Sequence, residues 1–181
     1  MKKVVFVFSL LCLSSIVCVF ATNPVSVISG DVSIFTKASK TLLEIDYSSM
    51  KVGNETLDEY SQRRGEDFDR DWQGTSSFAA SYFVKYFNKQ FKKGMQLTEN
   101  SSNVDYKMKI RVDSLHFGAF NSAGAVMSGT IEMVDLKTDE VITILNVSDC
   151  KGIAVLGPVR ARLIRVYYEL SDGIRALNPK K

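Results

Sequence analysis

VDYKMKIRVDSLHF, from Val104 to Phe117, is the stretch whose reading decides the fold. Tyr106, Met108, Ile110 and Val112 fall on one side of an extended backbone, and Lys107, Lys109, Arg111 and Asp113 on the other. That period of two describes an antiparallel strand with one buried and one wet face. After Val112 the phase slips, with Leu115 and Phe117 as the next apolar residues, which predicts a bulge or strong twist near Asp113 and Ser114. The cations Lys107, Lys109 and Arg111 form a ladder on the wet face. A solvated face is the ordinary reading of such a ladder, and a surface that meets an acidic partner is the functional one.

Downstream lies FGAFNSAGAVMSG, Phe117 to Gly129, with the single histidine, His116, just before it. A P-loop needs GxxxxGK followed by a hydroxyl residue. Here Gly118 and Gly124 are followed by Ala125 and Val126. A dinucleotide cradle runs from strand to helix, whereas this stretch runs from strand to strand. The glycines therefore read as a connection between antiparallel strands. The loop is apolar for a turn, so Phe117 and Phe120 join the basic ladder as candidate partner contacts. AVMSGTIEMVDLKTDEVITILNVSD then supplies two strands. Met127, Ile131 and Met133 share a face on the first, the second runs from Val141 to Val147, and Leu136–Asp139 is the tight link between them.

Upstream, Thr41, Leu43, Ile45 and Tyr47 alternate as another half-buried strand. Lys51–Asp67 is a polar connector with a short helix; its carboxylates and the adjacent Arg63 and Arg64 read as a solvated loop. From Asp67 the period turns helical. Phe68, Trp72, Ala79, Phe83, Tyr86 and Phe91 fall near one face, Tyr82 and Phe87 broaden it, and Gly94 stops it. Aromatic residues continuing at that spacing indicate a helix pressed on a sheet. MQLTEN is a short strand. At the other end Pro158 opens a helix along which Val159, Leu163, Val166, Leu170, Ile174 and Leu177 form an apolar stripe ending near Asn178. Arg160, Arg162 and Arg165 crowd its first half, against the helix-dipole preference. The resulting expectation is an α+β fold in the order β-α-β-β-β-β-α. It has a single, mostly antiparallel sheet of about five strands, with two amphipathic helices packed on one face.

Met1–Ala21 has a basic start, an apolar run and the small-residue pattern Val19-Phe20-Ala21, which predicts an export signal cleaved after Ala21. Lipid attachment at Cys18 is the alternative, although Ser15-Ile16-Val17 match a lipobox poorly. Residues 22–39 are expected to be a flexible lead-in, 40–178 one domain and 179–181 a tail; the roughly 160 residues beyond the signal suffice for one sizeable core. The chain holds 23 basic and 20 acidic residues, and two of the cations, Lys2 and Lys3, leave with the signal. That near-balance leaves no footprint for nucleic acid. Cys150 then stands alone and reads as a small buried hydrophobe. One histidine cannot build a multi-histidine metal site, no GxSxG motif is present, and Asp135, Asp139 and Glu140 sit in a turn. No catalytic, metal-binding or cofactor-binding residue is assigned.

VDYKMKIRVDSLHFG, the glycine-rich GAFNSAGAVMSG, the strand-turn-strand GTIEMVDLKTDEVI and the closing GIAVLGPVRARLIRVYYELSDGI together resemble small bacterial exported envelope proteins that carry a domain of unknown function. Asp139 stands where that pattern usually has a turn glycine. The architecture is similar to the amino-terminal domain of the Tol-Pal translocation protein and to the curli-secretion lipoprotein domain. The resemblance implies a non-enzymatic module for binding or assembly, in the periplasm or at the outer membrane. Its partner would be another envelope protein or a second copy, with peripheral membrane association compatible and no particular small molecule indicated. The pore-forming relative needs membrane-inserting hairpins, and no convincing pair is found here. Two rivals remain: a secreted hydrolase using a pair of carboxylates in a deep pocket, and a carrier enclosing an apolar ligand between helix and sheet.

Overall fold

The computed structural model describes residues 23–118, 124–153 and 158–178, apart from the side chains of 66–70. The elements are β1 (Val25–Gly30), a 3-10 turn (Val32–Thr36), β2 (Ser39–Asp46), β3 (Lys51–Val52), β4 (Glu55–Thr56), α1 (Leu57–Arg64), α2 (Glu66–Gln90), β5 (Met95–Thr98), β6 (Tyr106–Phe117), β7 (Gly124–Asp135), β8 (Glu140–Ile153) and α3 (Val159–Ala176). The expected sheet of about five mostly antiparallel strands is thereby corrected. Eight strands form one mixed sheet along the path β1-β8-β7-β6-β2-β5, with β3 paired to β6 and β4 to β3.

The causes of that difference are physical. β2 runs parallel to both β5 and β6. The helices between β2 and β5 carry the chain back across the sheet, and a strand-helix-strand crossover delivers its second strand parallel to its first. The loop after β5 then places β6 on the far side of β2. β3 and β4 are two residues each, too short to show a period. The stretch 22–39, expected to be flexible, contributes β1 and the 3-10 turn, where Val25, Ile34 and Phe35 are buried.

β6, β7 and β8 form the central antiparallel meander. The register of β6 against β7 shifts between Val112 and Ser114, so the bulge falls where the apolar phase slips in the sequence. Beyond it, Leu115 takes the buried side. β8 is closed on its other side by antiparallel β1, with Val25 opposite Val147.

Helices α2 and α3 cover one face. Trp72, Ala79, Phe83 and Phe87 of α2 and Leu163, Val166, Tyr167, Leu170 and Ile174 of α3 join Met108, Ile110, Ile131, Met133 and Leu145 of the sheet in one core. Gly152 permits the close seating of α3: a Cβ there would lie 2.2 Å from the Val166 backbone nitrogen. The free thiol of Cys150 is buried in the same seam, and its Sγ–H donates to the Val166 carbonyl. Burial pushes that thiol up to about 12, the behaviour of a packed side chain and not of a nucleophile.

Two tyrosines bring hydroxyls into this core. Tyr47, from the end of β2, is hydrogen-bonded through its hydroxyl to that of the fully buried Tyr167. Burial pushes the Tyr47 phenol up from 10.0 to about 12, and pushes Tyr167 well above its ordinary value. Folded-state values raised above the unfolded ones leave stability intact below pH 10 and remove it as pH climbs through the folded value. Chemical denaturation at stepped pH should therefore show a loss beginning near pH 10 and steepening toward 12, at up to about 1.4 kcal/mol per pH unit for each phenol. Tyr47→Phe should flatten that slope; an unchanged slope would remove Tyr47 from the account.

Candidate functional site

The basic ladder on β6 lies on the face of the sheet away from α2 and α3, and its neighbour is β2. Glu44 stands opposite Lys109 and Asp46 opposite Arg111 in the parallel register. Lys107 pairs with Glu44 at 3.6 Å, Lys109 with Asp46 at 3.7 Å, and Arg111 with Asp113 at 3.0 Å. The hydroxyl and N–H of Ser48 hold the Asp46 carboxyl below its usual range, with Lys109 adding to the effect. Each cation of the ladder thus has an acidic partner within the chain. Such half-exposed pairs contribute little to stability, yet they cancel the local charge a partner would read.

The remaining candidates point to a different place. Phe117 is half-buried and, with the exposed His116, lines a cleft of about 770 Å³ at the end of β6. Phe120 lies outside the described residues. Four elements converge on this cleft: the β3–β4 turn, α1, the end of β6 and the start of α3. Each is held there by local chemistry. The β3–β4 turn is tied to β6, since the Gly53 N–H donates to the Leu115 carbonyl and Lys51 and Val52 pair with Ser114 and Leu115. Helix α1 then starts at a capping box. Thr56 Oγ1 accepts from the Glu59 N–H at 3.2 Å, and Glu59 Oε2 accepts from the Thr56 N–H at 2.8 Å. The Thr56 N–H, and after it the Thr56 hydroxyl, which donates to the same carboxylate oxygen at 2.9 Å, hold the Glu59 carboxyl below its usual range.

The first turn of α1 fixes where its last turn puts two arginines. Arg63 binds Glu55 with two donors, Nε at 2.8 Å and Nη2 at 2.6 Å. That grip lowers the Glu55 carboxyl's pKa and raises the guanidinium's. Arg64 donates from Nη2 to the Tyr60 hydroxyl at 3.2 Å. The guanidinium carbons of Arg63 and Arg64 stand 5.0 and 5.3 Å from the centre of the Tyr60 ring, so one buried phenol positions both cations. Across the cleft Arg162 donates to the Gly118 carbonyl at 3.1 Å. Pro158 opens α3 without a side-chain cap, and no acidic residue occupies its first turn.

The three arginines that crowd the start of α3 therefore part company. Arg160 lies over Phe78 with its guanidinium carbon 4.6 Å from the ring centre, and Arg165 lies over Tyr168 at 5.8 Å. Only Arg162 of the three lines the cleft. Among the described lining residues three arginines face a single carboxylate, Glu55. In the sequence Arg63 and Arg64 read as part of a solvated connector. Nothing local to residues 52–64 announces that β3 will run beside Ser114 and Leu115.

A second cleft, of about 690 Å³, lies where α2 ends. Phe35 and Phe91 belong to its wall, and Lys89, Lys92, Lys93 and Arg175 surround it. Asp172 is close by, accepting from the Tyr86 hydroxyl and from Gln90, which in turn accepts from Arg175. Among the described residues no group of three or more His, Cys, Asp and Glu side chains is placed to hold a metal ion. No helix among them is long and apolar enough to cross a membrane.

No family model matches the chain, and no curated protein matches it. Among solved structures it is similar to the PelC dodecamer from Paraburkholderia phytofirmans, at 11% identity over 82% of this chain and 96% of that one, with a TM-score of 0.48. A single-substitution PelC dodecamer from the same organism gives 11% identity over 83% and 95%, with a TM-score of 0.44. An uncharacterized protein gives 9% identity over 78% and 97%, with a TM-score of 0.39. Likeness at these values carries no function from those proteins to this one.

Proposed function

We propose that this chain is an exported, non-catalytic assembly module of the cell envelope that associates with a second copy of itself along the β1 edge of its sheet. The observation that carries the reading is the character of that edge. Val25–Gly30 has no charged residue and no proline, and Val27 and Ile28 are 45% and 59% exposed. Natural sheets guard their edges with lysine, proline, bulges or very short strands. The opposite edge, β5, has four residues and follows Lys92 and Lys93. β1 has only the register shift between Val27 and Ser29. Two antiparallel β1 strands related by a two-fold axis would each supply the groups the other lacks. Export is supported by the basic and apolar pattern of Met1–Ala21. The two clefts, whose charge is mostly that of arginines and lysines, support a binding role.

Light scattering after size exclusion tests the reading on the chain from Thr22 onward. A dimer or larger species is expected at micromolar concentration, and Ile28→Lys should shift it to monomer while leaving the circular dichroism unchanged. A wild-type chain that stays monomeric across that range would overturn the proposal.

A further inference from the structure

The cleft where α2 ends is built by packing and not by charge pairing. Helices α2 and α3 run parallel: Phe83 meets Tyr167, Tyr86 stacks on Tyr168 at 4.2 Å, and Gln90 reaches Asp172. Both therefore finish at the same end of the domain. The turn beyond α2 is tightly seated there. Phe91 stacks on Phe87 and meets Phe35, its carbonyl accepts from the Gly94 N–H at 2.8 Å, and a Cβ on Gly94 would lie 2.5 Å from the Phe35 carbonyl oxygen. That fixed turn carries Lys92 and Lys93, beside Lys89 of α2 and Arg175 of α3, and all four side chains are exposed.

No carboxylate is among the lining residues. Lys89, Lys92 and Lys93 make no hydrogen bond and no ion pair with the described residues, and Arg175 donates to the neutral side-chain oxygen of Gln90. Cations at helix ends offset the helix dipoles, and two such ends amount to about one negative charge. Asp172, which accepts from the Tyr86 hydroxyl, adds a second. Four cations exceed both together. Three of the four are lysines, which are compact hydrated point charges and not the guanidinium forks that grip one carboxylate in a fixed pose. Such a set suits a field of anionic headgroups. The chain also enters the domain here. Asn23 donates from Nδ2 to the Gly173 carbonyl, in the last turn of α3, at 3.1 Å, and the apolar run Met1–Ala21 ends just before it.

We infer that the end of the domain carrying Lys89, Lys92, Lys93 and Arg175 docks on the anionic headgroups of a lipid bilayer, with the cleft among them receiving a headgroup. None of these residues belongs to β1, so the inference stands apart from self-association.

Co-sedimentation with vesicles tests it on the chain from Thr22 onward, which contains every described residue and leaves the apolar run out of the binding. The chain should pellet with vesicles containing phosphatidylglycerol and not with phosphatidylcholine alone, and added sodium chloride should release it. Lys93→Gln should weaken vesicle affinity about fivefold, and Lys92→Gln combined with Lys93→Gln roughly 25-fold, with circular dichroism unchanged. Lys107→Gln removes the same charge from the opposite face of the sheet and should bind as wild type does. Absence of any preference for phosphatidylglycerol overturns the proposal. So does a loss in Lys107→Gln equal to that in Lys93→Gln, which would make net charge and not this end of the domain responsible. A chain that ignores both vesicles yet is stabilised by a glutamate-rich peptide, an effect lost in Lys93→Gln, would overturn the membrane assignment in favour of an acidic protein partner.

Discussion

Replacing Phe83 with alanine should destabilise the domain by about 3–5 kcal/mol. The side chain is fully buried at the point where α2, α3 and the sheet meet. Its ring lies 5.3 Å from that of Tyr167 and 5.8 Å from that of Phe87, and Phe87 in turn stacks on Phe91 at 4.3 Å. Truncation would remove the ring's own burial and unseat both neighbours, in a domain whose whole stability is about 5–15 kcal/mol. The melting temperature should fall by roughly 10 °C. Phe83→Leu, which keeps most of the volume, should cost clearly less. A Phe83→Ala variant within about 1 kcal/mol of wild type would mean that α2 and α3 do not share this core.

Gly152→Ala should cost as much by the opposite route, an atom added and not removed. The new Cβ would fall 2.2 Å from the Val166 nitrogen and 2.6 Å from the Arg165 carbonyl carbon. Both are backbone atoms, so no side chain can swing aside and either β8 or α3 must shift. Overpacking of this kind costs about 3 kcal/mol or more when the obstruction is main chain. Gly74→Ala is the matched control: it lies in α2 with nothing within 4 Å of the added atom. There alanine should stabilise by roughly 0.5–1 kcal/mol. Denaturant midpoints of the two variants should move in opposite directions, and a common direction would refute the close seating of α3 on β8.

What the sequence made readable was whatever a single element shows by itself. The alternation of Tyr106–Val112 and the phase slip after it announce β6 and its bulge. The link between β7 and β8 is equally local: Asp135 Oδ1 accepts from the Lys137 N–H, and Asp139 takes a positive φ of 58°. The stop at Gly94 is likewise close to the end of α2 at Gln90. What stayed hidden depends on pairing between distant residues. Parallel β2 is set by a crossover of some fifty residues, and with it came the ion pairs of Lys107 with Glu44 and of Lys109 with Asp46. The arginine cleft was hidden for the same reason. Arg63, Phe117 and Arg162 look unremarkable in their own segments and share one cleft only when β3 lies along β6 and α3 returns beside it.

The pairing of β1 with β8 has a bearing on how the chain reaches this state. Val25 sits beside Val147, near opposite ends of the domain, while β6, β7 and β8 join neighbours in sequence through their turns. Short-range hairpins close in microseconds, whereas contacts spanning most of the chain wait for a much larger loss of freedom. The meander should therefore form early and the first strand dock late. If the chain emerges amino terminus first, β1 is made before its partner by well over a hundred residues and must remain unpaired until β8 has followed. During that interval an uncharged strand waits exposed, which makes the speed of delivery, as much as the final stability, a determinant of how much protein folds and how much aggregates.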